Sequence, residues 1–323
     1  MSKNIYDLLG LLVAISFILA LKGLSSPKTA RRGNLIGATG AGLATLLVFT
    51  DPTVKKIHNL PLILIAIAVG VLAGVPAARK IKMTSMPQLV ALFNGVGGGA
   101  AALVAIVEYL NLGKDASVAE VVATVFTVVV GCTSFSGSVI TFLKLQELMT
   151  TRPVVFPGGR FVIAGTLLGV IGTAGWTINS GGNSPLLVLA GLSLLFGVLF
   201  VLPVGGADVP IVISLLNAFT GLTVAASGYV LQSTLLIVAG TLVGASGTIL
   251  TRLMAAAMGR SLFGTLFGAF TAKPQAASGT QEERPVKSGS PEDVAILLNY
   301  AQRVVIVPGF GLAVAQAQHT IRE

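Results

Sequence analysis

The stretch VAEVVATVFTVVVGCTSFSGSVITFL (Val118–Leu143) decides the fold class. It carries one charge, Glu120, near its start, and is otherwise apolar, small or hydroxylated. At about 1.5 Å per residue a helix of this length crosses the ~30 Å hydrocarbon layer of a bilayer. Within it Thr124, Thr127, Gly131, Ser134, Ser138 and Thr141 recur at intervals of 3, 4, 3, 4 and 3, which places all six on one stripe of a helix. A span surrounded by lipid needs no such stripe, so this one belongs in a bundle.

The rest of the chain agrees. Apolar residues make up 54% and charged residues 10% of 323, well below the ~25% charge of a globular protein. Nine stretches are long enough to cross a bilayer: 5–22, 35–50, 60–78, 87–110, 118–143, 161–178, 185–202, 209–230 and 234–256. The first, Ile5 to Leu21, lacks a small-residue cleavage site and reads as a retained span rather than a signal peptide, and no Arg-rich transit peptide is present. The 39 glycines show no collagen-like period and suit close helix packing. One cysteine, Cys132, excludes an internal disulfide.

The net charge of +9 first raises nucleic acid as a partner, but the position of the charges removes it. Lys22, Lys28, Arg31, Arg32, Arg79, Lys80, Lys82, Lys144, Arg152, Arg160, Arg252 and Arg260 border the loops after the odd-numbered spans, against Lys3, Lys55, Lys56 and Lys114 on the opposite side. This asymmetry places the odd loops and the C-terminus in the cytoplasm and, with nine spans, the N-terminus outside.

Three regions follow: a membrane domain over 1–270, a flexible linker over 271–290, poor in aromatics and β-branched runs, and a C-terminal segment over 291–323. In the last, Ser290-Pro291-Glu292-Asp293 has the form of a helix start, followed by a short helix to Tyr300 and an apolar strand over Val304–Val307. Gly309-Phe310-Gly311-Leu312-Ala313-Val314 then fits G-x-G-x-x-V/A, a turn that lets a pyrophosphate approach the backbone at a helix N-terminus. The fold class is therefore an all-α polytopic membrane bundle, followed by the first strand-turn-helix of a Rossmann-like α/β domain.

Polar residues inside the spans mark the candidate path. Asn94 in span four and Asn217 in span eight are amides at similar depth, about 10–14 Å from the cytoplasmic ends. An amide in hydrocarbon needs partners or water, so each is either structural glue or part of a polar path, and both readings stand at this point. Asp208, in VGGADVP, sits where an N-cap would accept backbone N–H bonds at the start of span eight. Glu108 and Glu120 lie near the outer ends of spans four and five, as solvated ends or as a proton port. No histidine lies in a span, and no metal-ligand cluster or Ser-His-Asp set is present.

PGFGLAVAQAQ (Pro308–Gln318) resembles the start of the NADP(H)-binding domain in the beta subunit of proton-translocating nicotinamide nucleotide transhydrogenases. The resemblance extends over LKGLSSPKTARRGN, MTSMPQLVALFNGVGG, SFSGSVITFLKL, GGADVPIVISLLNAFTGL and GTLVGASGTILTRLMAAAMGRS, and so over essentially the whole chain. It implies an enzyme that couples hydride transfer between NAD(H) and NADP(H) to proton movement across a bacterial plasma membrane. An alpha partner subunit binds NAD(H), and the assembly is a dimer of alpha–beta units in lipid. Asn217 matches the span-eight amide of the proton path, and Asp208 matches the loop aspartate linking membrane and nucleotide domains. Asn94 occupies a position that is histidine in some members, the alternative histidine lying in a membrane helix of the partner. With Ser246 in GASGT, these form the candidate proton-pathway set. Pro308, Gly309, Phe310, Gly311, Ala313, Val314, Ala315 and Gln316 form the candidate NADP(H) contacts. The family's nucleotide domain continues well beyond such a turn, so the expectation is a truncated domain with a partial site. A stand-alone proton channel or secondary transporter is the competing reading.

Overall fold

Long helices follow from long apolar runs because, in a bilayer, a helix satisfies every backbone polar group within its own segment. The computed structural model describes residues 3–50, 59–112, 116–262, 264–266, 290–307, 309, 312 and 317–323. Nine long helices are described: α1 (Lys3–Leu24), α2 (Pro27–Val48), α3 (Leu60–Lys80), α4 (Met86–Leu112), α5 (Val118–Leu145), α6 (Gly159–Ser180), α7 (Asn183–Val201), α8 (Val209–Val230) and α9 (Thr234–Ala257). Eight of them, all but α2, are long and apolar enough to cross a membrane. The expected nine spans thus become eight by composition. Helix α2 begins at Pro27 rather than near residue 35, because a proline in the first turn has no N–H to lose, and its early turns carry Lys28, Arg31 and Arg32.

The chain divides into two compact units, Met1–Thr271 and Ala272–Glu323. In the first, α5 is the central helix and packs against α4, α7 and α8, while α8 packs on α9 and α1 on α2. The start of α5 is fixed by a capping box: Glu120 N–H donates to Ser117 Oγ at 3.3 Å, and Ser117 N–H donates to Glu120 Oε2 at 2.8 Å. Apolar side chains alone do not favour association in lipid, so close approach and interhelical hydrogen bonds hold the bundle together. A Cβ on Gly131 of α5 would lie 2.8 Å from the Gly98 carbonyl oxygen of α4, and one on Gly247 of α9 would lie 2.9 Å from Ala218 Cα of α8. Thr251 Oγ1 of α9 donates to Ser214 Oγ of α8 at 3.0 Å, and Thr133 Oγ1 of α5 donates to the Ser193 carbonyl of α7 at 3.3 Å. By contrast, α3 buries none of its 21 residues.

In the second unit, α10 (Pro291–Tyr300) starts where the sequence indicates: Asp293 N–H donates to Ser290 Oγ at 3.2 Å and Ser290 N–H donates to Asp293 Oδ2 at 2.9 Å. The expected strand over Val304–Val307 is not formed. These residues are exposed and irregular, and a strand exists only when its N–H and C=O groups pair with a neighbour, which none of the described residues supplies. A short helix, α11 (Gln318–Arg322), follows. The linker from 271 to 289 lies outside the described residues.

Candidate functional site

The polar stripe of α5 faces α4 and α8. Asn94, more than nine-tenths buried, donates through Nδ2 to Ser138 Oγ at 2.9 Å and to Ser134 Oγ at 3.4 Å. The Ser134 hydroxyl, fully buried, lies 2.6 Å from Thr220 Oγ1 of α8 and 3.0 Å from the Leu216 carbonyl oxygen, to which it donates. Three helices thus meet in one hydrogen-bonded chain, from Asn94 through Ser134 to Thr220. Asn94 Oδ1 is buried with no hydrogen-bond partner among the described residues. A carbonyl in that condition is an acceptor for water.

The other predicted pathway residues stand apart from this chain. Asn217 is half-buried, one turn before Thr220, and its side chain has no hydrogen-bond partner among the described residues. It lies on α8 between the Thr220 side, which meets α5, and the Gly221 side, which packs on α9. Ser246 is exposed on α9 and donates to its own helix at the Val243 carbonyl, 3.2 Å away. Asp208 holds the N-cap position of α8, but its side chain makes no capping bond, contrary to expectation. A 3₁₀ turn, Gly206–Asp208, leads into α8, and the carboxylate pairs instead with Arg260 beyond α9, Nε to Oδ1 3.5 Å. Glu120 is committed to the capping box described above, while Glu108 is half-buried.

Sequence reasoning missed Thr220 and Lys144. Thr220 follows Asn217 by three residues, the spacing of one helical face, and that is the signal that finds it. Lys144, counted above as a loop-border charge, is fully buried. Its ammonium donates to the carbonyl oxygens of Val201 at 3.2 Å, Leu202 at 2.6 Å and Val204 at 2.7 Å. These are terminal carbonyls of α7 and its exit, which have no partner within the helix. A cation placed there also meets the negative end of the helix dipole. The segment after α5 adds two further ties, Gly206 N–H to the Thr151 carbonyl at 2.8 Å and Val154 N–H to the Leu202 carbonyl at 3.0 Å. The turn bearing Asp208 is thereby anchored to the end of α5.

Of the glycine turn, Gly309 and Leu312 are described, while Pro308, Phe310, Gly311, Ala313, Val314, Ala315 and Gln316 lie outside the described residues. Leu312 N–H donates to the Gly309 carbonyl at 3.1 Å, and among the described residues none lies within 4 Å of where a Gly309 side chain would stand. Among the described residues no three His, Cys, Asp or Glu side chains gather to hold a metal.

Comparison with known proteins bears on the whole chain. The family described as NAD(P) transhydrogenase beta subunit matches residues 6–323. Two curated proteins named NAD(P) transhydrogenase subunit beta, from Rhodospirillum rubrum and from a named strain of it, are each 41% identical over 322 residues. Each alignment covers 97% of this chain and 69% of the relative. With a match this long, carried through α4, α5, α8 and the glycine turn alike, the chain belongs to the NAD(P) transhydrogenase beta subunit family.

Proposed function

We propose that this chain provides the membrane domain of a proton-translocating NAD(P) transhydrogenase and the first contacts for NADP(H). Its partner is an alpha subunit that holds NAD(H), in a dimer of alpha–beta units within a bacterial plasma membrane. Two nicotinamides supply the hydride chemistry, so the chain's own residues need to move a proton and report its passage. The C-terminal unit takes NADP(H) through Pro308, Gly309, Phe310, Gly311, Ala313, Val314, Ala315 and Gln316. Helix α2 serves as the ninth crossing, which puts the N-terminus outside and the Asp208 turn in the cytoplasm.

The observation that carries this reading is the hydrogen-bonded chain from Asn94 through Ser134 to Thr220, with Asn94 Oδ1 left to accept from water. Hydroxyl groups pass protons because each can accept and donate at once. Asn94 and Asn217 are neutral amides that orient water, and a histidine on a membrane helix of the alpha partner is the titrating group. Asp208, paired with Arg260 at the mouth, transmits the change in charge to the nucleotide unit. Ser246 lines the approach from α9.

The test is the complete alpha–beta complex in liposomes with a pH dye inside. Wild type takes up protons in step with hydride transfer. Asn94→Leu lowers the ratio of coupled turnover to proton-independent hydride exchange tenfold or more. Hydride transfer without proton uptake in the wild type removes the translocation reading. Proton flux through this chain alone, without nucleotides, would instead favour the channel reading, which membership of an enzyme subunit family over residues 6–323 disfavours.

A further inference from the structure

Four side chains of α4 and α5 end in a buried polar atom with no hydrogen-bond partner among the described residues: Gln88 Oε1 in the first turn of α4, Asn94 Oδ1, Tyr109 Oη and Thr124 Oγ1. Asn94 belongs to the site above. Tyr109 and Thr124 lie toward the other end of the same interface. The register shows it. Asn94 meets Ser138, and a Cβ on Gly131 would meet Ala102 Cβ at 3.1 Å. The two helices are antiparallel, so Tyr109, fifteen residues along α4 from Asn94, comes level with Thr124, fourteen residues back along α5 from Ser138.

Both side chains face into the bundle. Tyr109 continues the line Gly98, Ala102, Ala105 at intervals of 4, 3 and 4, and packs in one cluster with Val125 and Val128. Thr124 precedes Val125 and lies one turn before Val128 on the α5 stripe. A tyrosine three residues from the end of a spanning helix ordinarily stands in the interfacial belt with its hydroxyl wet. Tyr109 is only 2% exposed. Helical side chains lean toward their own N-terminus, which carries this ring back into the bundle. Two hydroxyls at one level of an apolar cluster, neither paired among the described residues, are the setting in which a buried water is retained.

We propose that Tyr109 Oη and Thr124 Oγ1 hold a buried water that forms the outer station of the proton path. This rests on the translocation reading above. Glu108 beside Tyr109 sets a carboxylate at the entrance, while Glu120, one turn before Thr124, stays bound in its capping box. A proton arriving on the water passes to a hydroxyl oxygen as that hydroxyl releases its own proton to the next acceptor, so neither side chain ends with a changed charge. Between this station and Asn94 the helices are in contact, at Gly131 against the Gly98 carbonyl. The outer and inner stations therefore fill separately, and passage requires that contact to loosen.

The complete alpha–beta complex in dye-loaded liposomes tests this, together with X-ray hydroxyl-radical footprinting of the unaltered complex. Tyr109→Phe removes one oxygen and Thr124→Val keeps the shape. Each is expected to lower the ratio of proton-coupled turnover to hydride exchange at least fivefold. Bound water is expected to label Tyr109, once each rate is divided by the intrinsic reactivity of that side chain toward hydroxyl radical, at least threefold faster than the fully buried Leu186 and Leu189. A ratio within twofold of wild type in both variants overturns the proposal, as does Tyr109 labelling no faster than those leucines. Footprinting reads the water independently of how the variants fold. Absence of proton uptake by the wild-type complex overturns this inference and the translocation reading together.

Discussion

Lys144 Nζ lies 2.6 Å from the carbonyl oxygen of Leu202, at the foot of a helix it does not belong to. The bond ties the last turn of α5 to the exit of α7, four residues before the 3₁₀ turn that carries Asp208 begins. The helix with most of the polar stripe is therefore joined to the turn proposed to report on it, through one ammonium group and three carbonyls.

Replacing Lys144 by Met is expected to destabilise the chain by about 1–3 kcal/mol, since the Val204 carbonyl loses its charged donor while the Val201 and Leu202 carbonyls keep the N–H groups of Val204 and Val154. Thermal unfolding in detergent measures it. A midpoint equal to wild type would mean that another donor replaces the ammonium at the Val204 carbonyl.

Ser134→Ala cuts the link between Asn94 and Thr220. The stability cost is expected to be about 1 kcal/mol, because Asn94 keeps its 2.9 Å bond to Ser138. Coupled turnover in liposomes is expected to fall far more than that cost implies. Parallel, modest losses in both would make Ser134 a packing residue.

Two glycines give opposite outcomes. Gly131→Ala sets a methyl 2.8 Å from the Gly98 carbonyl oxygen and is expected to cost about 1–3 kcal/mol, as overpacking does. Gly172→Ala on α6 meets nothing within 4 Å and is expected to be neutral or stabilising by up to about 1 kcal/mol. Paired melting curves in one detergent distinguish them.

Arg260→Ala is expected to cost less than about 1 kcal/mol, because the Arg260 side chain is 54% exposed and its pair with Asp208 is long, at 3.5 Å. A double-mutant cycle with Asp208→Asn measures the coupling, which should shrink as salt is raised.

The sequence carried the bundle because a bilayer imposes a length and a period that can be counted. The α5 stripe read from Thr124 to Thr141 is the buried face, and two of its members, Ser134 and Ser138, receive Asn94. What it did not carry was the destination of each polar group. By sequence Lys144 is a loop charge, because counting cations does not show that α7 ends beside it. Asp208 has the local form of a cap, Asp before Val-Pro, whereas its partner, Arg260, lies 52 residues away. Val304–Val307 has a strand's composition, but pairing is a property of two segments, and one run of valines cannot disclose it.

Helix α3 draws little cohesion from the described residues of its own subunit, since none of its 21 residues is buried. What keeps it helical is the hydrocarbon, where an open peptide group has no water to turn to. Thinning or removing the bilayer would loosen this segment ahead of α5 or α8, so hydrogen exchange along Leu60–Lys80 would serve as a built-in gauge of how native the surrounding lipid is.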